Sequence, residues 1–131
     1  MIYWDTSCVI KLYVEESDSA AWEQRAVDAE DGLVASALMR TEAAFAFLQK
    51  GQRGEILPGA AEAVLTLLDH DIAAGRFQVI PVGRDVLAEA CAIGRECHCC
   101  DPAIFVRTLD GIHLATARLL KCKQVATADA R

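Results

Sequence analysis

Aromatic residues are scarce, at 6% of 131 positions, and proline occurs only three times. The core must therefore be largely aliphatic and alanine-rich, and few prolines stand in the way of regular elements. No apolar stretch approaches the ~20 residues that cross a bilayer, the longest running from Gly32 to Met39 and from Ala43 to Leu48. A secretory leader is also absent from the pattern: Asp5, Lys11, Glu15 and Glu16 interrupt the first apolar stretch, and no small-residue cleavage site follows. With 53% apolar and 24% charged residues, disorder and collagen-like repeats are excluded. The expectation is one soluble, cytoplasmic domain over residues 1–131, because two cores at this length would each be too small to be stable.

A basic excess is lacking too. The formal charge of −6 argues at first against a nucleic-acid partner. Residues 15–31, however, hold seven acids (Glu15, Glu16, Asp18, Glu23, Asp28, Glu30, Asp31) against Arg25 alone, so the rest of the chain is balanced. The stretch reads as a solubilising face that could also attract a basic partner. Six cysteines are too few for a disulfide scaffold. Cys97-His98-Cys99-Cys100 contains one CxxC spacing but no second pair to complete a zinc site, and it closes a helix before the Asp101-Pro102 turn instead of opening one.

Short apolar runs alternate with amphipathic stretches. Ile2 to Trp4, Leu33 to Ala35, Phe77 to Val82 and Gln124 to Thr127 read as strands. Helices are expected from Thr6 onward, over Ser17 to Ala29, from a Ser36 cap through Lys50, and over Pro58 to Gly75, Gly83 to about Cys97 and Leu109 to Lys121. Leu38, Thr41, Phe45 and Leu48 recur at helical spacing in the third of these, and Leu109, Ile112, Ala115 and Leu119 form the core stripe expected of the last. The fold class is therefore α/β, a three-layer α/β/α arrangement with a central parallel sheet flanked by helices.

Active sites of such sheets collect at the carboxyl ends of the strands. Asp5 ends the first strand and Asp129 the last, while Glu42 and Asp110 fall in early turns of helices. One crevice could gather all four. Crowded carboxylates need protons or divalent cations to relieve their repulsion, and hard, oxygen-seeking Mg2+ or Mn2+ suits them. Each acid alone could equally be a solvated surface residue or favour a helix terminus. No Ser-His-Asp or Cys-His arrangement competes, and His113, three residues after Asp110, could at most assist.

Four blocks resemble the PIN-domain family: Tyr3-Trp4-Asp5-Thr6-Ser7-Cys8-Val9-Ile10-Lys11-Leu12-Tyr13, Ser36-Ala37-Leu38-Met39-Arg40-Thr41-Glu42, Arg107-Thr108-Leu109-Asp110-Gly111-Ile112-His113-Leu114-Ala115-Thr116-Ala117, and Val125-Ala126-Thr127-Ala128-Asp129. They occur in family order and span residues 2 to 129, with VapC-type toxins of toxin–antitoxin pairs the closest likeness within the family. The resemblance implies a Mg2+-dependent endoribonuclease in which Asp5, Glu42, Asp110 and Asp129 are the catalytic, metal-holding quartet. It also implies that Thr6, Ser7 and Thr127 orient those carboxylates, with Arg107, Arg118, Lys121 and Lys123 as candidates for RNA contact.

The same resemblance implies a VapB-like antitoxin as partner and a homodimer, with Tyr13, Trp22, Phe45 and Phe47 able either to line a groove or to pack the core. The chain departs from the family in stopping two residues past Asp129, where a closing element is expected, and in carrying the Cys97–Cys100 stretch. Alternatives are a housekeeping RNA-processing nuclease, a PIN-like module whose acids hold a basic peptide, and a zinc-stabilised interaction domain.

Overall fold

The computed structural model describes residues 1–129. Among them the elements run β1 (Ile2–Trp4), α1 (Thr6–Ile10), α2 (Ser19–Val27), β2 (Leu33–Ser36), α3 (Leu38–Gln52), α4 (Ala60–Ala73), β3 (Phe77–Ile80), α5 (Arg84–His98), α6 (Thr108–Leu119) and β4 (Gln124–Ala126). The sheet order is β3-β2-β1-β4 and every neighbouring pair is parallel, with Tyr3 opposite both Val34 and Val125. The chain thus steps outward from β1 to β3 and returns to the other side of β1 for β4. That reversal opens a crevice at the carboxyl ends of β1 and β4.

Both sheet faces are covered, as a parallel sheet requires. Alternate residues point to opposite sides. Trp4, Leu33, Ala35 and Phe77 join Cys8, Val9, Met39, Phe47 and Leu68 in one core, while Tyr3 and Val34 meet Ala117 of α6 on the other face. A separate seam of Val86, Ile93, Ile112 and Ala115 binds α5 to α6. Gly75, at φ 82°, reverses the chain after α4 and sends it into β3, a left-handed conformation that glycine adopts without cost. No described helix is long and apolar enough to cross a membrane.

Three expectations need correction. On α3 the Phe45 and Leu48 side lies outward, at 73% and 50% exposure, and Met39, Ala43 and Phe47 are buried instead. This helix is apolar on two sides, so spacing alone offers two stripes, and packing against β2 and α4 selects one. On α6 Leu109 and Leu119 are exposed and the inward face is Ile112, His113, Ala115 and Thr116. The first helix stops at Ile10, where Leu12 and Tyr13 already donate to carbonyls three residues back and the chain turns. Trp22 packs edge-on against Trp4, and Lys11 and Lys50 converge on Glu16, so the acidic segment is partly neutralised by its neighbours. The expectation about a closing element falls at residues 130–131, outside the described residues.

Candidate active site

Asp5 occupies the point where β1 ends and α1 begins. Its N–H donates to the carbonyl of Ala126 at 2.9 Å, continuing the β1–β4 ladder by one step. Extended backbone (φ −71°, ψ 152°) makes it the N-cap of α1, with Oδ1 accepting from the Thr6 N–H at 2.8 Å. Oδ2 accepts from Ser7 Oγ at 2.8 Å and Thr127 Oγ1 at 2.9 Å. These hydroxyls are themselves fixed: Ser7 Oγ accepts from the Ala128 N–H and Thr127 Oγ1 from the Asp129 N–H. The Asp5 carboxylate is therefore immobilised by three donors from two chain segments 120 residues apart.

Glu42 enters from the second turn of α3. Thr6 Oγ1 donates to its Oε1 at 2.8 Å, and the same oxygen meets Nε2 of His113 from α6. His113 is buried, and its Nδ1 faces the hydroxyl of Tyr3, which in turn accepts from the Ser36 N–H at 3.1 Å. The Glu42 carboxylate can only accept, so in the neutral imidazole the proton sits on Nε2, directed at Glu42, and Nδ1 accepts from the Tyr3 hydroxyl. Burial pulls the imidazole pKa down, but the hydrogen bond and charge of Glu42, with Asp5 and Asp110 behind it, outweigh burial and hold it above its ordinary value. Burial also pushes the Glu42 carboxyl up, and contact with His113 and Thr6 overrides this to keep it below the usual range.

Asp110, in the first turn of α6, and Asp129, after β4, both meet Arg107, at 3.3 Å and 3.4 Å. All four predicted acids line one open cavity of about 380 Å³, together with Thr6, Ser7 and Arg107. Among the described residues, no group of three or more His, Cys, Asp or Glu side chains is gathered closely enough to grip a metal ion as the side chains stand. Arg107 takes up two of the carboxylates and His113 a third. The donor chemistry of the acidic cavity nevertheless fits Mg2+ or Mn2+, being carboxylate oxygens backed by hydroxyls.

Of the four predicted RNA-contact cations, Arg107 alone lines this cavity among the described residues. Arg118 is held by Glu89 and Glu96 across the α5–α6 face. The Lys123 N–H donates to the carbonyl of Met1, placing it at the amino ends of β1 and β4, opposite to Asp5. Lys121 terminates α6: at φ 56° it lets its own N–H reach the Arg118 carbonyl and that of Cys122 the Ala117 carbonyl, both at 3.0 Å. A left-handed non-glycine residue costs about 1 kcal/mol. Lys121→Gly is therefore expected to raise stability in urea denaturation by about 1 kcal/mol while leaving any RNA cleavage unchanged, whereas a phosphate-binding Lys121 would lose activity.

Sequence reasoning left His113 as a bystander and did not single out Tyr3 beyond its strand. The available signal was spacing: i, i+3 from Asp110 puts His113 on an adjoining helical position. That its ring turns inward to link Tyr3 with Glu42 depends on the sheet beneath it.

The PIN domain family profile matches residues 2–131. Similar folds are found in Mycobacterium tuberculosis VapC20, described as a Sarcin-Ricin loop cleaving toxin (16% identity, TM-score 0.71, covering 99% of this chain and 91% of that one). A toxin–antitoxin complex from Klebsiella pneumoniae aligns at 17% identity and TM-score 0.64, over 96% and 85% of the two chains. FitAcB from Neisseria gonorrhoeae aligns at 21% identity and TM-score 0.65, over 98% and 88%. None of the curated proteins matches the chain.

Proposed function

The chain belongs to the PIN-domain family, and on that premise we propose that it is a Mg2+-dependent endoribonuclease, the cytoplasmic toxin of a VapBC-like toxin–antitoxin pair. The observation that carries the reading is the convergence of Asp5, Glu42, Asp110 and Asp129, from four separate places in the chain, on one cavity at the sheet's topological switch. Asp5 and Asp110 would hold the ion most directly, Glu42 would bind it or position water, and Asp129 would make the weaker contact. When bound, the ion lowers the pKa of a water and offsets charge on the phosphodiester oxygens.

The protein's own groups supply the rest. Thr6, Ser7 and Thr127 keep the Asp5 oxygens aimed, and His113 keeps Glu42 charged and fixed. Arg107, more than half exposed, sits at the rim where a backbone phosphate would approach. The similarity to VapC20, described as a Sarcin-Ricin loop cleaving toxin, and to a toxin–antitoxin complex supports RNA as substrate and an antitoxin as partner. A groove of about 770 Å³ along α3, walled by Leu38, Phe45, Leu48 and Leu109 and ending at Glu42, suits an apolar antitoxin segment. A homodimer accompanies this assignment.

The test is incubation of a mixed RNA pool with purified protein in Mg2+, Mn2+ or chelator. Cleavage in either metal, lost in chelator and in Asp110→Asn, is the expected result; absence of cleavage by folded, antitoxin-free protein in both metals would overturn the assignment. Phe45→Glu is expected to weaken antitoxin binding by about 2 kcal/mol or more, the scale of a truncated hot-spot aromatic, with unchanged melting, because Phe45 contributes little to the core.

A further inference from the structure

The Cys97-His98-Cys99-Cys100 stretch plays no part in the carboxylate chemistry, yet it sits at the neck of the segment that reaches the site. The Cys97 carbonyl accepts two hydrogen bonds, from the Cys100 N–H at 3.2 Å and from the Ile104 N–H at 2.9 Å. The first closes a four-residue turn. Such a turn brings its end Cα atoms within ~7 Å, which overlaps the 4.4–6.8 Å range of disulfide bridges. The second ties the far side of the loop to the same atom. From Ile104 the loop runs through Phe105 and Val106 to Arg107, and all four residues wall a cavity of about 390 Å³ shared with Asp5, Asp110 and Asp129. His98 holds the loop a second time through an edge-on contact with Phe105.

Neither thiol is in a disulfide: Cys100 is exposed and its Sγ–H donates to the Glu96 carbonyl at 3.4 Å, and Cys97 is half-buried against the α5–α6 seam. We propose that Cys97 and Cys100 form a reversible dithiol–disulfide pair that fixes the neck of the Arg107 loop. The oxidant is a small-molecule disulfide such as oxidised glutathione. The Cys100 thiolate attacks one glutathione sulfur and expels the other as a thiolate. Cys97 then attacks the mixed disulfide and expels the second. Two S–H bonds and one S–S bond are exchanged for one intrachain S–S bond and two glutathione thiols, which take up both protons. The bridge braces the turn, so the Cys100 and Ile104 amides exchange more slowly in the oxidised chain. Any consequence for RNA cleavage rests on the nuclease assignment; the bridge itself does not.

The full chain is incubated with oxidised glutathione, alkylated, digested with trypsin and weighed. Residues 96–107 form one tryptic peptide containing Cys97, Cys99 and Cys100. The expected result is loss of two hydrogen masses from this peptide, retained in Cys99→Ser and abolished in Cys97→Ser and in Cys100→Ser. Loss retained in Cys100→Ser, loss abolished by Cys99→Ser, or glutathione adducts alone would overturn the pairing. Hydrogen exchange on the oxidised chain is expected to slow several-fold at Cys100 and Ile104, and unchanged rates there would overturn the coupling to the loop. Neither readout involves catalysis, so a chain that cleaves no RNA still answers the question.

Discussion

Asp5→Asn is expected to lower metal-dependent RNA cleavage by about a thousandfold, the scale of losing a group that stabilises charge at a reacting centre. It is also expected to lower stability by about 1–2 kcal/mol: asparagine keeps the α1 cap, but its NH2 replaces the Oδ2 that accepts from Ser7 and from Thr127 after β4. Asp110→Asn separates the two effects. Its side chain is 47% exposed and pairs with Arg107 on the surface, an interaction worth about 0–1 kcal/mol. Cleavage should fall as far as in Asp5→Asn while the urea midpoint hardly moves. Equal destabilisation by both substitutions would show that the lost activity reflects misfolding, and retained cleavage in Asp110→Asn would remove that residue from the reaction. Single-turnover cleavage beside urea denaturation of each variant decides between these outcomes.

Tyr3→Phe is expected to cost about 2–4 kcal/mol, far above the usual effect of deleting one oxygen. The Tyr3 ring is wholly buried and burial pushes its phenol well above the ordinary range, so it remains a hydrogen-bonding O–H at any pH the fold tolerates. Phenylalanine keeps the ring but strands the buried Ser36 N–H and leaves Nδ1 of His113 without its donor. Each abandoned group costs about 1–3 kcal/mol. With Nδ1 released, the imidazole loses one of the two bonds that hold its ring against Glu42, and cleavage should fall about 10–100-fold at saturating metal. Chemical denaturation reads the first effect and cleavage of folded protein the second. A loss below about 1 kcal/mol would mean that water replaces the phenol.

The strand and helix alternation and the parallel sheet were legible because they follow from local pattern and from one topological rule, whereas the choice of Asp5, Glu42, Asp110 and Asp129, which line one cavity, came from the PIN-domain resemblance and was left open by spacing. What escaped was set by contacts between elements. Phe45 and Met39 are equally apolar, and only the position of α4 decides that Met39 is buried and Phe45 faces outward. Arg118 lies late in the Asp110 helix and Lys121 and Lys123 just beyond it, near Asp110 in sequence but not in space. A helix of twelve residues carries its last turn some 15 Å from its first, and the strand that follows starts at the amino end of the sheet, away from Asp5. His113 and Tyr3 are linked across 110 positions, a pairing that no window on the sequence contains.

The joining of β1 to β4 has a consequence for the timing of activity during synthesis. The oxygen cluster on Asp5 needs hydroxyls at both Ser7 and Thr127, and Asp129 lies further along still. Chains emerge from the ribosome amino end first, and contacts between such distant segments form late. A polypeptide carrying Asp5, Glu42 and even Asp110 therefore has no assembled centre until β4 has emerged and slots beside β1.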